Sequence, residues 1–109
     1  MITLIVPCYN EQESLPIFYR EVTAVVQRME SEYELLFVDD GSKDQTLMIL
    51  RELAAQDSHV KYFSFSRNFG KEAAMYAGFC NVSGDYIAVM DADMQDPPSL
   101  LPQMMKILE

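Results

Sequence analysis

Residues 86–98 read Y-I-A-V-M-D-A-D-M-Q-D-P-P, an apolar run that stops abruptly in carboxylates. Residues 86–90 are short, partly β-branched and uncharged, the pattern of a buried strand. Asp91 and Asp93 follow, two residues apart. In extended backbone alternate side chains point the same way, so both carboxylates face one side. Two carboxylates side by side at a strand end repel unless a cation lies between them. Pro97 and Pro98 forbid further strand pairing. The D-x-D spacing also has a plainer reading, in which Asp93 or Asp96 caps a helix after Pro98 and Asp91 is solvated. Where the other unusual residues fall decides between the two.

Upstream, the same unit recurs three times. Residues 2–6 (I-T-L-I-V) form an apolar strand, followed by the polar loop P-C-Y-N-E at 7–11. Leu15, Phe18, Tyr19, Val22, Val25, Val26 and Met29 then recur at helical spacing. Ser14 is the candidate N-cap of that helix, with Pro16 tolerated in its first turn. Residues 33–38 make a second strand ending in D-D-G-S at 39–42, where Gly41 suits a tight turn with positive φ. A short helix over 45–55 carries Leu47, Leu50, Leu53 and Ala54 on one face, with Asp44 or Ser42 as candidate cap. Residues 60–65 alternate only partly, predicting a third, less buried strand. The loop S-R-N-F-G-K-E at 66–72 leads into a small, nearly all-apolar helix over 72–81. Gly84 turns the chain into the fourth strand, and Leu100, Leu101, Met104, Met105 and Leu108 mark a last amphipathic helix.

Strand and helix in strict alternation predict an α/β fold with a mainly parallel four-stranded sheet flanked by helices. Its crossovers are right-handed. In such sheets ligands bind outside the carboxyl ends of the strands. Residues 7–11, 39–42, 66–71 and 91–96 each follow a strand, so every chemically unusual stretch lands on one rim. That common placement favours a cation-binding and ligand-binding reading of Asp91 and Asp93 over a helix cap.

The 109 residues suffice for one small domain, and half of them are hydrophobic, so a real core is expected. Seventeen acidic against eight basic residues give a net charge of -9. That argues against nucleic acid and against unaided binding to anionic membranes. It also means that an anionic ligand needs a cation to mediate. Cys8 and Cys80 are too few for a disulfide scaffold and predict buried thiols in a reducing compartment, hence a cytoplasmic location. No stretch has the pattern of a signal peptide or the length of a transmembrane helix.

Among single residues, Arg67 and Lys71 bracket Gly70 at a helix start, where backbone N–H groups favour anions. A solvated loop explains them equally well. Asp39 and Asp40 read alone as an Asx turn; on the rim they become candidates for ribose or base hydroxyls and amines. Tyr9 and Glu11 are candidates to stack beside a base or accept from it. His59, between Ser58 and Val60, reads as a surface turn residue. Neither G-x-G-x-x-G after a strand nor G-x-x-x-x-G-K-[ST] occurs, which disfavours a dinucleotide fold and a P-loop.

Taken together, P-C-Y-N-E, V-D-D-G-S and D-A-D-M-Q-D-P-P in this order resemble the family 2 glycosyltransferases, which have the GT-A nucleotide-sugar fold. S-R-N-F-G-K-E and the Q-D-P-P tail most resemble the branch that charges polyprenyl phosphates, including dolichol-phosphate mannose synthases and bactoprenol glucosyltransferases. The resemblance covers essentially the whole chain. It implies transfer of a hexose from a UDP- or GDP-sugar to a polyprenyl phosphate. It further implies that Pro7, Tyr9 and Glu11 line the nucleotide pocket, and that Val38 and Asp40 hold base and ribose. Asp91 and Ala92 would contact the nucleotide, with Arg67 and Lys71 nearby. Asp93 and Gln95, with Asp91 close by, would hold Mg2+ or Mn2+ against the diphosphate, Asp91 and Asp93 being the catalytic pair.

Family members continue for about as many residues again, so residues 1–109 would be the nucleotide-sugar-binding portion of a longer enzyme at the cytoplasmic face of a membrane. The acceptor half would lie beyond. The family's strand order would leave the strand at 86–90 as an apolar edge, a template for a homodimer. A competing reading is a phosphoryl-accepting receiver domain, also α/β with an acidic metal site. That fold wants an acidic pair after the first strand, where this chain has P-C-Y-N-E.

Overall fold

Residues 1–29, 32–80 and 86–92 are described in a computed structural model of the chain. Strands and helices alternate there as the sequence predicts: β1 (Ile2–Cys8), α1 (Leu15–Arg28), β2 (Tyr33–Asp39), α2 (Thr46–Gln56), β3 (Val60–Ser64), α3 (Lys71–Cys80) and β4 (Tyr86–Val89). The predicted helix over 100–108 lies outside the described residues, as do Asp93, Gln95, Asp96, Pro97 and Pro98. All pairings are parallel and the strand order is β3-β2-β1-β4. The sheet therefore grows one way from β1 to β3 and then returns to add β4 on the other side of β1.

This reversal fixes which face each helix covers. A right-handed crossover from β1 through β2 to β3 puts α1 and α2 on one face, and a crossover in the opposite lateral direction puts α3 on the other. Leu4, Val6, Cys8, Leu35 and Phe37 alternate toward the first face and pack with Phe18, Val22, Val26 and Leu50. Phe18 meets Phe37 edge to face with ring centroids 6.3 Å apart. Ile5 points the other way, onto Gly78 of α3. Near the amino ends of the strands Glu34 is buried, accepting from the Thr3 hydroxyl at 3.0 Å and paired with Lys61 at 3.1 Å. β3 is the least buried of the three longer strands, as its partial alternation predicts.

Boundaries shift in informative ways. The first strand, predicted to end at Val6, runs on through Pro7 to Cys8, paired with β2 throughout. Proline is tolerated because residue 7 turns its nitrogen toward β4, not β2. On that side the last bond is from Met90 N–H to the Ile5 carbonyl. The next would need an N–H at position 7, which Pro7 lacks, so pairing stops there. Ser14 stands at the N-cap of α1, but its hydroxyl donates to Glu11 Oε2 at 2.9 Å and makes no cap bond. At α2 the N-cap residue is Gln45, in place of the expected Asp44 or Ser42. Asp44, one residue earlier, still accepts the Thr46 N–H at 2.9 Å.

Candidate nucleotide site

Strand order 3-2-1-4 makes the crevice between β1 and β4 the topological switch point, where the connections leave toward opposite faces. A cavity of about 400 Å³ opens there. Six residues expected at the site line it: Pro7, Tyr9, Glu11, Asp40, Lys71 and Asp91. Cys8, Asn68 and Gly70 line it as well and were not anticipated as site residues. Val38 and Ala92 are fully buried and do not line it. Arg67 does not line it either; its guanidinium lies over the Phe69 ring, 4.7 Å from the centroid.

The rim is stiffened by hydrogen bonds between the loops after β1 and β2. Asn10, in the left-handed region at φ 51°, donates its N–H to Ser42 Oγ and accepts the Lys43 N–H. Glu11 N–H donates to Thr46 Oγ1 at 2.8 Å, and Gln12 exchanges bonds with Asp44 and Gln45. Burial pushes the Asp44 carboxyl up, but the Thr46 hydroxyl and N–H and the Gln12 N–H outweigh it, leaving the carboxyl below its ordinary range. Tyr9 remains 42% exposed at the mouth, open to a stacking partner.

The two aspartates after β2 divide their work. Asp39 is internal: it accepts the Ser42 N–H and the Ser64 hydroxyl, both at 3.1 Å. Asp40 accepts the N–H groups of Phe69 at 2.8 Å and Gly70 at 2.9 Å while still lining the cavity. Between the two loops Gly41 (φ +71°) lies so close to the backbone of Arg67 and Asn68 that no side chain fits. Across the cavity Lys71 Nζ stands 2.8 Å from both oxygens of Asp91.

Three carboxylates, Glu11, Asp40 and Asp91, face one lysine in the lining, so the cavity is net negative. Of the two thiols expected to be buried, Cys80 is exposed at the end of α3 and Cys8 is buried; Cys8 registers the charge. Burial pushes its thiol pKa well up, and Glu11, Asp39 and Asp91 push it further, so the sulfur stays protonated and is no nucleophile. Among the described residues no three His, Cys, Asp or Glu side chains gather closely enough to hold a metal ion. The donor chemistry at Asp91 is hard oxygen, which suits Mg2+ or Mn2+. The expected co-ligands Asp93 and Gln95 belong to the stretch that is not described.

Comparison with known proteins gives a consistent picture. The family model for glycosyl transferase family 2 matches residues 3–109. A prophage bactoprenol glucosyl transferase homolog of Escherichia coli K12 is 44% identical over 105 residues, which cover 96% of this chain and 34% of that protein. The chain thus spans about a third of the length of the curated relatives it matches. Glucosyl-3-phosphoglycerate synthase from Mycobacterium tuberculosis, solved with Mn2+, UDP and phosphoglyceric acid, superposes with a TM-score of 0.76 at 22% identity, covering 99% of this chain and 38% of that one. A mannosyltransferase from Pyrobaculum calidifontis, solved with GDP-Man and Mn2+, gives 0.68 at 24% identity over 84% of this chain and 27% of the other. These likenesses establish the fold expected from the sequence.

Proposed function

The chain belongs to glycosyl transferase family 2, and from that premise we propose that residues 1–109 bind the nucleotide sugar in a longer enzyme that moves a hexose from a UDP- or GDP-sugar to a polyprenyl phosphate. The observation that carries this reading is the cavity at the switch point, where Tyr9, Glu11, Asp40 and Asp91 converge from three separate loops. The bactoprenol name of the Escherichia coli relative supports a polyprenyl phosphate acceptor. The UDP and GDP-Man of the solved neighbours support either base.

In this reading Tyr9 stacks beside the base. Asp40, each of whose oxygens keeps a lone pair beyond its present bond, accepts from ribose or base. Val38 and Ala92 act from behind, as fully buried residues that shape the floor. Asp91, Asp93 and Gln95 would hold Mg2+ or Mn2+, which supplies Lewis-acid stabilisation of the departing diphosphate. Lys71 adds positive charge for the same anion. An acceptor phosphate oxygen forms the new bond to the anomeric carbon while the bond from that carbon to the nucleotide diphosphate breaks. Membrane attachment of the longer protein, at the cytoplasmic face, belongs to this proposal; among the described residues no helix is long and apolar enough to cross a membrane. The receiver-domain alternative loses its ground, since the loop after β1 holds Glu11 in place of an acidic pair and the family match covers the chain.

Calorimetric titration with UDP- and GDP-sugars, in Mg2+, Mn2+ or chelator, tests the reading. Binding is expected to require metal. Asp93→Asn should weaken it at least tenfold, the loss of about 1.4 kcal/mol or more from one charged ligand. His59→Ala, at the amino end of β3, should leave it unchanged. Equal affinity in chelator would remove the metal from the proposal.

A further inference from the structure

Lys71 reaches Asp91 from the end of a loop that is itself bonded to Asp40, two strands away from β4. Asp40 is 4% exposed, and its two carboxylate oxygens receive the N–H groups of consecutive residues, Phe69 and Gly70. Both bonds are charge-assisted and short. Gly70 directly precedes Lys71, the first residue of α3, and its carbonyl accepts the first helical bond, from Ala74 N–H. Fixing the Gly70 amide therefore fixes the entry of the helix. From beneath, Gly41 lets the same loop settle: a Cβ there would stand 2.2 Å from the Arg67 carbonyl carbon and 2.4 Å from the Asn68 nitrogen. The far end of α3 is seated separately, by Gly78 on Ile5.

We propose that Asp40 is a positioning residue: by holding the Phe69 and Gly70 amides it seats the first turn of α3 so that Lys71 acts as the built-in counter-ion of Asp91. An acidic cavity thereby carries its own cation. A cation arriving at Asp91 must displace the Lys71 ammonium, which is then released toward whatever anion accompanies it. The positioning role goes beyond the nucleotide-sugar reading and uses only contacts within this chain, whereas displacement of Lys71 by a cation at Asp91 rests on that reading.

The test follows the lysine ammonium groups by NMR in 15N-lysine-labelled chain, with no nucleotide present. In the wild type the Lys71 ammonium should relax as an ordered ion pair, as should Lys61 with Glu34. Asp40→Asn keeps the volume but loses one amide acceptor; Lys71 should lose order relative to the wild type while Lys61 keeps its order. Gly41→Ala leaves the Asp40 carboxylate intact and displaces the loop instead, and should release Lys71 in the same way. Wild-type order at Lys71 in either folded variant overturns the positioning role. Lys71→Met, a change at a side chain 57% exposed, tests the counter-ion role separately. Mn2+ alone, followed by electron paramagnetic resonance, should bind this variant roughly two- to fivefold tighter, the range for a partly exposed ion pair. Unchanged or weaker Mn2+ binding overturns it.

Discussion

Replacing Gly78 by alanine should destabilise the chain, although alanine is the better helix former. An ideal Cβ at position 78 would lie 2.6 Å from Ile5 Cγ2, 3.2 Å from Cδ1 and 3.3 Å from Cγ1. Ile5 is completely buried in β1 and β-branched, so its γ carbons cannot swing clear without moving a neighbour. Overpacking of this kind costs about 1–3 kcal/mol. The gain in helix propensity from glycine to alanine is about 1 kcal/mol. The difference leaves a net loss of about 1 kcal/mol. In an Ile5→Ala background the crowding atoms are gone and only the propensity gain remains, so Gly78→Ala should there stabilise by about 1 kcal/mol. The sign reversal corresponds to a coupling of about 2 kcal/mol between the two positions, within the range for residues in contact. Urea denaturation followed by far-UV circular dichroism on the four chains measures it. If Gly78→Ala stabilises both backgrounds by the same amount, α3 does not approach β1 as closely as described.

The opposite pole of the sheet should titrate. Tyr19 donates to Asp57 at 2.6 Å; burial and then this bond push the Tyr19 pKa up to about 12, while at Asp57 burial is outweighed by the Tyr19 hydroxyl and by His59, and its carboxyl is lowered. The Tyr19 contribution to stability is fully present below an unfolded pKa of about 10 and is lost as pH rises toward about 12. The Asp57 contribution is present above about 4 and lost as pH falls below it, so Tyr19→Phe should flatten the stability profile at both extremes; an unchanged alkaline limb would show that the bond carries no weight. β4 lies at the edge of the sheet, and among the described residues nothing pairs with its outer side. We expect the chain to self-associate through it, and a monodisperse monomer by light scattering at high concentration would count against that. Finally, the chain should bind a nucleotide sugar but not turn it over, since holding an acceptor in line can supply several kcal/mol of the barrier and the proposal assigns that task to the portion beyond residue 109. Radiolabelled donor, metal and polyprenyl phosphate in detergent should give lipid-linked product with a longer version of the protein and none with residues 1–109; equal rates would refute the division.

The order of elements was legible in the chain because periodicity is local. Leu15, Phe18, Val22 and Val26 declare a helix by their spacing, and the apolar blocks at 2–6, 33–38 and 86–90 declare buried strands, without reference to anything distant. The parallel-sheet rule then turned that order into a place, and Tyr9, Glu11, Asp40, Lys71 and Asp91 do meet on the predicted rim. What each polar group touches there was not legible. Arg67 and Lys71 look alike in sequence, both flanking Gly70; only the packed structure sends one onto Phe69 and the other onto Asp91, 20 residues away. Asp39 and Asp40 are identical neighbours, yet strand alternation turns one to Ser42 and Ser64 and the other to the amides of Phe69 and Gly70. His59 gave no sign that its ring would stack on Tyr33 at 4.2 Å, because register alone brings the start of β3 beside that of β2. Pro7 reads as the beginning of a loop, and the fold makes it the residue that ends the β1–β4 ladder and opens the cavity. Hydrophobic pattern is a property of a segment and survives any tertiary arrangement that buries it. The partners of charged and hydrogen-bonding groups depend on separations of a few ångströms between segments distant in sequence, and those are set only when the sheet has closed its register.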